Sequence, residues 1–286
     1  MSTTNQQTWL VTGAASGLGA EIVRAGLRAG HHVVATGRAM AKLESAYSAD
    51  RTQPALLELD VTKPESVAAA VAAITGSGRR IDVLVNNAAF GVLGVFESIS
   101  EADVRDQFET NVFGLMEVTR AVLPVMRDQR AGHIVNFSSV AGIRGNTGST
   151  VYAASKFAVE GFSEALAQEV RQFGIGVTII VPGLFRTGFM SDTSARFGTI
   201  RIDDYTEYSE TLDEGYKTVG QGQGKDPRGM GQMLVDLLAL ERPPRRFPAG
   251  RDALATVERK VVLLQEDVDT WRELSESLEN EPASLP

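Results

Sequence analysis

Three side chains between residues 139 and 156 have the types and spacing for acid–base chemistry on an oxygen atom. Ser139 offers a hydroxyl, Tyr152 a phenol and Lys156 an ammonium group. If the segment from Tyr152 onward is helical, the ammonium lies beside the phenol, because residues four apart share a helix face. A free tyrosine has a pKa of about 10, and a neighbouring positive charge lowers that pKa towards the range that catalysis needs. The alternative is a chance pair on a helix surface.

A glycine-rich stretch near the N-terminus has the spacing of a phosphate-binding loop. The stretch TGAASGLG, residues 12–19, follows a short apolar run and opens a helical pattern. Glycines let the backbone turn sharply and approach a pyrophosphate, and the N–H groups of a helix N-terminus point towards it. The position between a first strand and a first helix favours a dinucleotide site over a tight turn without a ligand.

The end of the second apolar run bears on the choice of dinucleotide. A protein that binds NAD usually carries an acid here, which accepts a hydrogen bond from the ribose 2′-OH. This chain has Gly37 followed by Arg38. A guanidinium group can hold a 2′-phosphate. The pattern therefore favours NADP over NAD, the alternative being that Arg38 is a solvated surface residue.

The hydrophobic pattern predicts the scaffold that would position these residues. Short apolar runs without in–out alternation are typical of strands buried on both faces, and they span residues 9–12, 32–36, 55–59, 83–86, 134–137 and 177–181. Helical patterns lie between them, at residues 17–29, 40–47, 65–74, 102–127 and 152–173. Strand alternating with helix predicts a single α/β domain over residues 1–286. Its core is a Rossmann-like, doubly wound parallel sheet of about seven strands with helices on both faces.

Two regions depart from this alternation. Residues 183–231 are polar and glycine-rich, which is typical of a lid, a binding loop or disorder, and we interpret them as a substrate lid. Residues 252–277 predict a long C-terminal helix. We expect its apolar residues to pack on the domain's own core, the alternative being a partner's core. Those residues recur at a 3–4 spacing: Leu254, Val257, Val261, Leu264, Val268 and Trp271.

Composition argues against several classes of function. A net charge of −8 and a pI near 5.1 disfavour nucleic acid and anionic membranes as partners. The absence of cysteine and the presence of only three scattered histidines predict neither disulfides nor a metal site. The N-terminal residues lack the basic and apolar regions of a secretory signal, and no run reaches the ~18 apolar residues of a membrane span. We therefore expect a soluble, cytoplasmic protein.

Taken in order, the motifs of residues 8–190 resemble those of the short-chain dehydrogenase/reductase family, in its compact single-domain branch. The glycine loop is similar to the family's cofactor loop, and Asp60-Val61 to its adenine-contacting pair. Asn86-Asn87-Ala88-Ala89 resembles the family's Asn-Asn-Ala-Gly element, with Ala89 in place of the glycine. Ser139 stands 13 residues before Tyr152, a usual family spacing. Pro182-Gly183-x-x-x-Thr187 is similar to the segment that holds the nicotinamide amide.

The resemblance implies a role for each of these residues. Tyr152 would be the general acid/base, and Lys156 would lower its pKa and hold the nicotinamide ribose. Ser139 would hydrogen-bond the reacting oxygen, and Asn111 would anchor a water that relays protons through Lys156. The implied substrate residues are Ser139, Phe90, Phe185 and Phe189. The implied cofactor-binding residues are Gly13, Ser16, Gly17, Leu18, Gly19, Arg38, Asp60, Val61, Asn87, Ala88, Ala89, Tyr152, Lys156, Pro182, Gly183 and Thr187.

The function implied by the resemblance is reversible hydride transfer between NADP(H) and a carbonyl or alcohol substrate. Aromatic residues at the root of the lid suit a hydrophobic substrate, or they only pack the lid onto the sheet. The fold itself does not choose the substrate. The resemblance also implies a homodimer or homotetramer, formed through the helices at 102–127 and 152–173. Two alternatives stay open: an epimerase or dehydratase that uses the same tyrosine, and a non-catalytic NADP-binding sensor or regulatory protein.

Overall fold

Seven parallel strands form the central sheet. The structure is a computed structural model that describes residues 6–187, 195–220 and 224–279. The strands in these ranges are β1 Thr8–Val11, β2 His32–Gly37, β3 Ala55–Glu58, β4 Val83–Asn86, β5 Gly91–Leu93, β6 Gly132–Phe137, β7 Ile175–Pro182, β8 Ala195–Phe197 and β9 Arg246–Ala249. The sheet has the order β3-β2-β1-β4-β6-β7-β9, and every neighbouring pair is parallel. The predicted parallel sheet is confirmed; β5 and β8 form a separate parallel pair.

Helices cover both faces of this sheet. Those in the described ranges are α1 Gly17–Arg28, α2 Met40–Tyr47, α3 Pro64–Gly76, α4 Glu101–Phe108, α5 Leu115–Gln129, α6 Thr150–Val170, α7 Thr206–Gly220, α8 Pro227–Leu238 and α9 Arg251–Glu276. One core lies between the sheet and α1, α2 and α8, and a second lies between the sheet and α3, α5 and α6. In β1, Trp9 and Val11 enter the first core and Leu10 the second. The strand has no polar alternation because both of its faces are buried.

The chain changes direction across the sheet between β1 and β4. From β1 it moves through β2 to β3 at one edge, then returns to β4 beside β1 and continues towards the other edge. In open α/β sheets, the crevice at such a reversal, outside the carboxyl ends of the strands, is the usual ligand site. The glycine loop after β1 and the Asn87-Ala88-Ala89 element after β4 both lie there.

The single helix predicted over residues 102–127 is wrong. The chain forms α4, then a π-helical segment, Glu109–Gly114, and then α5. Asn111, within this segment, is buried and bonded to the backbone of Phe90 and to the hydroxyl of Ser155. A π-helical turn accommodates one extra residue and is frequent at functional sites. The hydrophobic periodicity of the sequence does not predict this π-helical segment, because Asn111 makes its contacts with segments that are distant along the chain.

The predicted lid over residues 183–231 is too long. Its second half contains α7 and the first turn of α8, whose residues Met230 and Leu234 are buried in the first core. Gly231 lets α8 approach α1 closely, since a Cβ there would meet the carbonyl oxygen of Glu21 and lie 2.9 Å from Cβ of Ala25. This glycine therefore marks helix packing rather than a mobile loop.

The seventh strand, β9, was not among the predicted runs. Its sequence, Arg-Phe-Pro-Ala, is short and interrupted by a charged residue and a proline. Proline lacks a backbone donor and is confined in sheets to edge strands, strand starts and bulges. Because β9 is the last strand in the sheet order, Pro248 is compatible with this position.

The C-terminal helix is confirmed, but its predicted packing on the domain's own core is wrong. Only the first turns of α9 contact the domain, with Ala253 buried. Leu254, Val261 and Trp271 are exposed. Within the described ranges, no helix is both long and apolar enough to cross a membrane.

We predict that Gly231→Ala lowers the free energy of unfolding by about 1–2 kcal/mol, because overpacking of α8 against α1 outweighs the gain in helix propensity. Gly229 lies in the same helix, where a Cβ would meet nothing within 4 Å. Gly229→Ala is therefore the matched control and should leave stability unchanged or raised. Urea unfolding midpoints of the two variants measure the difference. A Gly231→Ala variant as stable as the control would contradict the close packing described here.

Candidate active site

A network of hydrogen bonds joins the ends of β1 and β4. The hydroxyl of Thr12 accepts from the backbone N–H groups of Asn87 at 3.0 Å and Ala88 at 3.1 Å. The side-chain amide of Asn87 donates to the carbonyl oxygens of Thr12 at 3.1 Å and Gly13 at 3.0 Å. The start of the glycine loop is therefore fixed to the neighbouring strand.

The glycines of the loop occupy places where a side chain would not fit. Gly13 has a φ of +64°, and a Cβ there would lie 2.7 Å from Cα of Ala88. A Cβ on Gly19 would lie 2.6 Å from the amide nitrogen of Asn87. Ser16, the N-cap of α1, makes no side-chain hydrogen bond to the first turn of the helix. The first N–H groups of α1 are thus not capped by this side chain, as a helix that receives a phosphate requires.

A single cavity of about 780 Å³ runs from this loop to the N-terminal half of α6. Its walls contain most of the residues predicted from the sequence: Gly13, Ser16, Gly17, Leu18, Arg38, Asp60, Val61, Asn87, Ala88, Ala89, Phe90, Ser139, Tyr152, Lys156, Pro182, Gly183, Phe185 and Thr187. Gly19 and Asn111 lie behind the walls rather than on them. Phe189 lies outside the described residues. The cavity is large enough for a cofactor and the reacting end of a substrate.

Ser139, Tyr152 and Lys156 come together on one wall of the cavity. Tyr152 and Lys156 lie one turn apart on α6, as the four-residue spacing predicts, with the ammonium nitrogen 5.9 Å from the centre of the phenol ring. The ammonium donates a 2.8 Å hydrogen bond to the carbonyl oxygen of Phe137, at the end of β6. Two residues further on, Ser139 shares a hydrogen bond with the Tyr152 phenol, and its hydroxyl also accepts from the N–H of Ala141 at 3.1 Å.

Burial controls the ionisation of this wall. It raises the pKa of Tyr152 to about 12, and the hydrogen bond with Ser139 opposes that rise. Burial also lowers the pKa of Lys156 to about 8, against the attraction of Glu160. Burial thus acts against the lowering of the phenol pKa that the spacing of Tyr152 and Lys156 predicts. Spacing reveals a neighbouring charge, but it does not reveal the loss of solvent around the phenol.

A buried ion pair supports Lys156 from the next turn of α6. The guanidinium of Arg246, on β9, donates to Oε2 of Glu160 at 2.9 and 2.6 Å and to Glu164 at 2.6 Å. The Glu160 side chain is 8% exposed and that of Arg246 is 27% exposed. The second oxygen of Glu160 is buried without a hydrogen-bond partner in the described part of the chain. The sequence analysis missed this pair, although Glu160 follows Lys156 by four residues.

Asn111 connects the cavity wall to α6. Its side chain accepts from the N–H of Phe90 at 3.0 Å and donates to the carbonyl of Phe90 at 2.8 Å and to the hydroxyl of Ser155 at 3.1 Å. Phe90 follows Ala89, which keeps a negative φ, since Arg130 is the only non-glycine residue in the described ranges with a positive φ. The alanine in place of the family's glycine therefore imposes no backbone strain.

Two cations lie at the end of the cavity near β2. Arg38 directly follows β2 and Lys42 lies on the first turn of α2; both are exposed and both line the cavity. The residue before Arg38 is Gly37, so no acidic side chain is present at that position. Lys42 was missed by the sequence analysis, but its separation of four residues from Arg38 at a helix start is a signal that could have found it. Across the cavity mouth, the carboxylate of Asp60 accepts from Thr62 at 3.0 and 2.7 Å.

The segment after β7 closes one side of the cavity. The N–H of Leu184 donates to Asp252 at 2.7 Å, and the ammonium of Lys225 donates to the carbonyl of Leu184 at 3.2 Å. A Cβ on Gly17 would lie 3.5 Å from the side chain of Thr187. Contacts with α1 and with the start of α9 thus hold Pro182 to Thr187 beside the glycine loop.

The other end of the cavity is more apolar and includes α7. Phe90, Leu93 and Tyr216 line it, whereas Phe185 packs against the first core, with the Lys225 ammonium over its ring. The Tyr216 hydroxyl donates to the carbonyl of Thr147 at 3.0 Å, which holds α7 against the loop before α6. Tyr216 was missed because the glycine content of this region indicated a loop. The spacing of Tyr208, Leu212 and Tyr216, four residues each, is the helical signal that could have found it.

The chain was compared with known proteins. The family model described as short chain dehydrogenase matches residues 7–196. The 3-ketodihydrosphingosine reductase of Bacteroides thetaiotaomicron is 37% identical over 246 residues, which are 85% of this chain and 88% of that protein. Retinol dehydrogenase 8 of Bos taurus is 36% identical over 252 residues, which are 84% of this chain and 80% of that protein.

Solved structures show the same likeness. A short-chain dehydrogenase from Streptomyces avermitilis has a TM-score of 0.86 and 35% identity, over 96% of this chain and 99% of that chain. A serine dehydrogenase complexed with NADP+ has a TM-score of 0.69 and 29% identity, over 84% and 92% of the two chains. A short chain dehydrogenase/reductase from Burkholderia phymatum in complex with NAD has a TM-score of 0.77 and 25% identity, over 100% of both chains.

We predict that Arg246→Met lowers the free energy of unfolding by about 2–4 kcal/mol, because it leaves the buried carboxylate of Glu160 without its cation. The loss is less than for a sealed pair, since water still reaches part of Arg246. The neighbouring Arg245 is exposed, so Arg245→Met is the matched control and should change stability by no more than about 0.5 kcal/mol. Equal urea midpoints for the two variants would show that the buried pair does not stabilise the fold.

Proposed function

The chain belongs to the short-chain dehydrogenase family, and we propose that within it the protein is an NADPH-dependent reductase of apolar carbonyl compounds that also runs the reverse alcohol oxidation. Family members act on CH–OH and carbonyl groups with a nicotinamide cofactor. The observation that carries the proposal is the convergence of Ser139, Tyr152 and Lys156 on one wall of a cavity that begins at the glycine loop.

The glycine loop and the segments after β4 and β7 would hold the cofactor. The loop offers uncapped N–H groups and glycines that permit close approach, which suits a pyrophosphate. When bound, the nicotinamide supplies or accepts the hydride. The rest of the chemistry belongs to the protein, which orients the reacting oxygen and moves one proton.

In this proposal, Ser139 holds the substrate oxygen by a hydrogen bond, and Tyr152 exchanges a proton with it. During reduction the phenol gives its proton to the carbonyl oxygen as hydride reaches the carbonyl carbon, so that an alcohol and a phenolate result. The buried ammonium of Lys156 stabilises that phenolate. Burial raises the pKa of the phenol, so the proton is present on Tyr152 at neutral pH, as donation to a carbonyl oxygen requires.

Asn111 is assigned a positioning role in the proposal. Its amide holds the backbone of Phe90 and the hydroxyl of Ser155, and thereby fixes the wall that faces Tyr152. The proton relay through Asn111 and Lys156 that the family resemblance implies is kept as a further part of the proposal.

The preference for NADPH rests on charge. Arg38 and Lys42 line the end of the cavity nearest to β2, with Gly37 in place of an acid. Two cations attract a 2′-phosphate, whereas a 2′-hydroxyl is usually held by a carboxylate at this position. Solved relatives bind either NADP or NAD, so the assignment to NADPH comes from the residues of this chain.

The substrate class rests on the apolar end of the cavity. Phe90, Leu93 and Tyr216 line the cavity near the loop before α6. Burial of apolar substrate surface against them would stabilise the complex. Two similar proteins are named for a ketodihydrosphingosine and for retinol, and both compounds contain a long hydrocarbon portion. A single domain, a homodimer or homotetramer and a cytoplasmic location complete the proposal, as the sequence led us to expect.

We predict that Tyr152→Phe lowers kcat for reduction of all-trans-retinal or a long-chain aliphatic ketone by about 10²–10⁴-fold, because the proton donor is removed. NADPH binding, measured by fluorescence titration, should be retained. Tyr208 is exposed on α7, and Tyr208→Phe serves as the control with unchanged turnover. Near-normal turnover of Tyr152→Phe would refute the assigned role. Tight NADPH binding by the wild-type protein without turnover of any carbonyl would favour the sensor alternative.

We predict that Arg38→Leu raises KM for NADPH by about 10–100-fold and leaves KM for NADH unchanged, because only NADPH carries the phosphate that the guanidinium binds. Arg51, an exposed arginine that does not line the cavity, gives the control Arg51→Leu. The control shows whether a change in KM comes from the loss of the contact between Arg38 and the phosphate or only from the loss of one positive charge. Equal changes for the two cofactors, or none, would contradict the assignment of Arg38.

A further inference from the structure

Helix α9 carries a continuous apolar seam that faces solvent. We define the α9 seam as Leu254, Val257, Val261, Leu264, Val268 and Trp271. Leu254, Val261 and Trp271 are 48%, 61% and 58% exposed, and Leu264 and Val268 are each 50% exposed. From Val261 to Leu278 every residue of the chain is exposed. Val257 is half-buried, but from Val261 onward the seam is an apolar surface that the described parts of the domain do not cover.

The spacing of the seam is that of a coiled coil. Successive members are 3, 4, 3, 4 and 3 residues apart, a strict period of 3.5. A seam at the two core positions, a and d, of each heptad makes left-handed helix pairs. Three further exposed apolar residues of α9, Val262, Leu263 and Leu274, lie outside these positions.

The residue types in the exposed part of the seam favour two parallel strands. Val261 and Val268 occupy a positions and Leu264 the d position between them, whereas the first heptad, next to the domain, has Leu254 at a and Val257 at d. A β-branched residue at a with leucine at d, as from Val261 onward, favours dimers over larger bundles. The seam therefore suits an identical partner helix in the same register.

The charges beside the seam fit the same partner. In a parallel pair, Asp267 at a g position faces Arg272 at the following e position of the other helix, and this happens on both sides of the pair. Within its own helix, Arg272 makes only long ion pairs, at 3.6 Å to Asp269 and 3.8 Å to Glu276. Lys260 faces the neutral Gln265, so no like charges are brought together.

Charge also decides against a lipid surface. Helices that lie on anionic membranes are rich in Lys and Arg. Helix α9 has seven acidic residues against four basic ones, and the whole chain carries a net charge of −8.

We propose that α9 pairs with α9 of a second copy of this chain as a parallel, in-register, two-stranded coiled coil along the α9 seam. This interface is distinct from the α4–α6 helices expected to assemble the family. It goes beyond the proposed function, because no seam residue lines the cavity. Loss of the interface therefore leaves the active-site wall intact.

The first test is the particle mass measured by light scattering. Val261→Glu with Val268→Glu places two charges in the seam and should halve the mass, with NADPH binding retained. Ala255→Glu with Thr270→Glu adds the same charge on the outer face of α9, where both residues are exposed, and is the control, with unchanged mass. Glutamate is a good helix former, so neither pair disfavours the helix itself. The proposal is overturned if the seam variant keeps the mass of the wild-type protein.

The second test uses the absence of cysteine from the chain. Under mild oxidation, Val261→Cys should form a disulfide-linked dimer, because the two copies of an a position meet across a parallel pair. Glu266→Cys, on the outer face, should not. Absence of the Val261→Cys link would overturn the parallel register. Sedimentation of a monomeric wild-type protein with phosphatidylcholine–phosphatidylserine vesicles would overturn the proposal in favour of a membrane surface.

Discussion

A buried ammonium group imposes the strictest constraint on the site. Lys156 is 3% exposed, and a buried charge without partners would cost far more than a typical domain's margin of stability. The carbonyl of Phe137 accepts one hydrogen bond from it, and Glu160 attracts it from the next turn. Glu160 in turn needs the cation of Arg246. One charged group thus fixes α6 to both β6 and β9, and with α6 it fixes the phenol of Tyr152.

The remaining parts of the site depend on the parallel sheet. All seven strands point the same way, so the segments after β1, β4, β6 and β7 meet at one edge. Each supplies a different element: the glycine loop, the Asn87 amide, the Ser139 hydroxyl and the segment from Pro182 to Thr187. The central strands β1 and β4 are buried on both faces and cannot change easily, whereas the segments at this edge can. A rigid sheet can therefore keep one fold while the segments after its strands vary and determine different substrate specificities.

The sequence was most informative where chemistry depends on local spacing. The glycine loop, the Tyr152–Lys156 pair and the strand–helix alternation are properties of neighbouring residues, and the structure reproduces them. The sequence was least informative where two side chains that are far apart along the chain contact each other. The Glu160–Arg246 pair spans 86 residues, and the burial that raises the pKa of Tyr152 depends on the whole cavity wall. The glycines around Tyr216 and α8 indicated a loop, so neither helix was predicted there. Glycine also occurs where two helices pack closely, as Gly231 does.

The long separation of Glu160 from Arg246 has a consequence for the order of biosynthesis. A ribosome completes α6, with the entire Ser139–Tyr152–Lys156 set, well before it adds the strand that carries Arg246. Until that strand docks at the sheet edge, the carboxylate of Glu160 lacks the two hydrogen bonds from Arg246, and its burial is less favourable. We expect a nascent chain to hold this part of α6 less firmly until β9 is in place. The wall formed by Ser139, Tyr152 and Lys156 would then become rigid only after β9 has been synthesised.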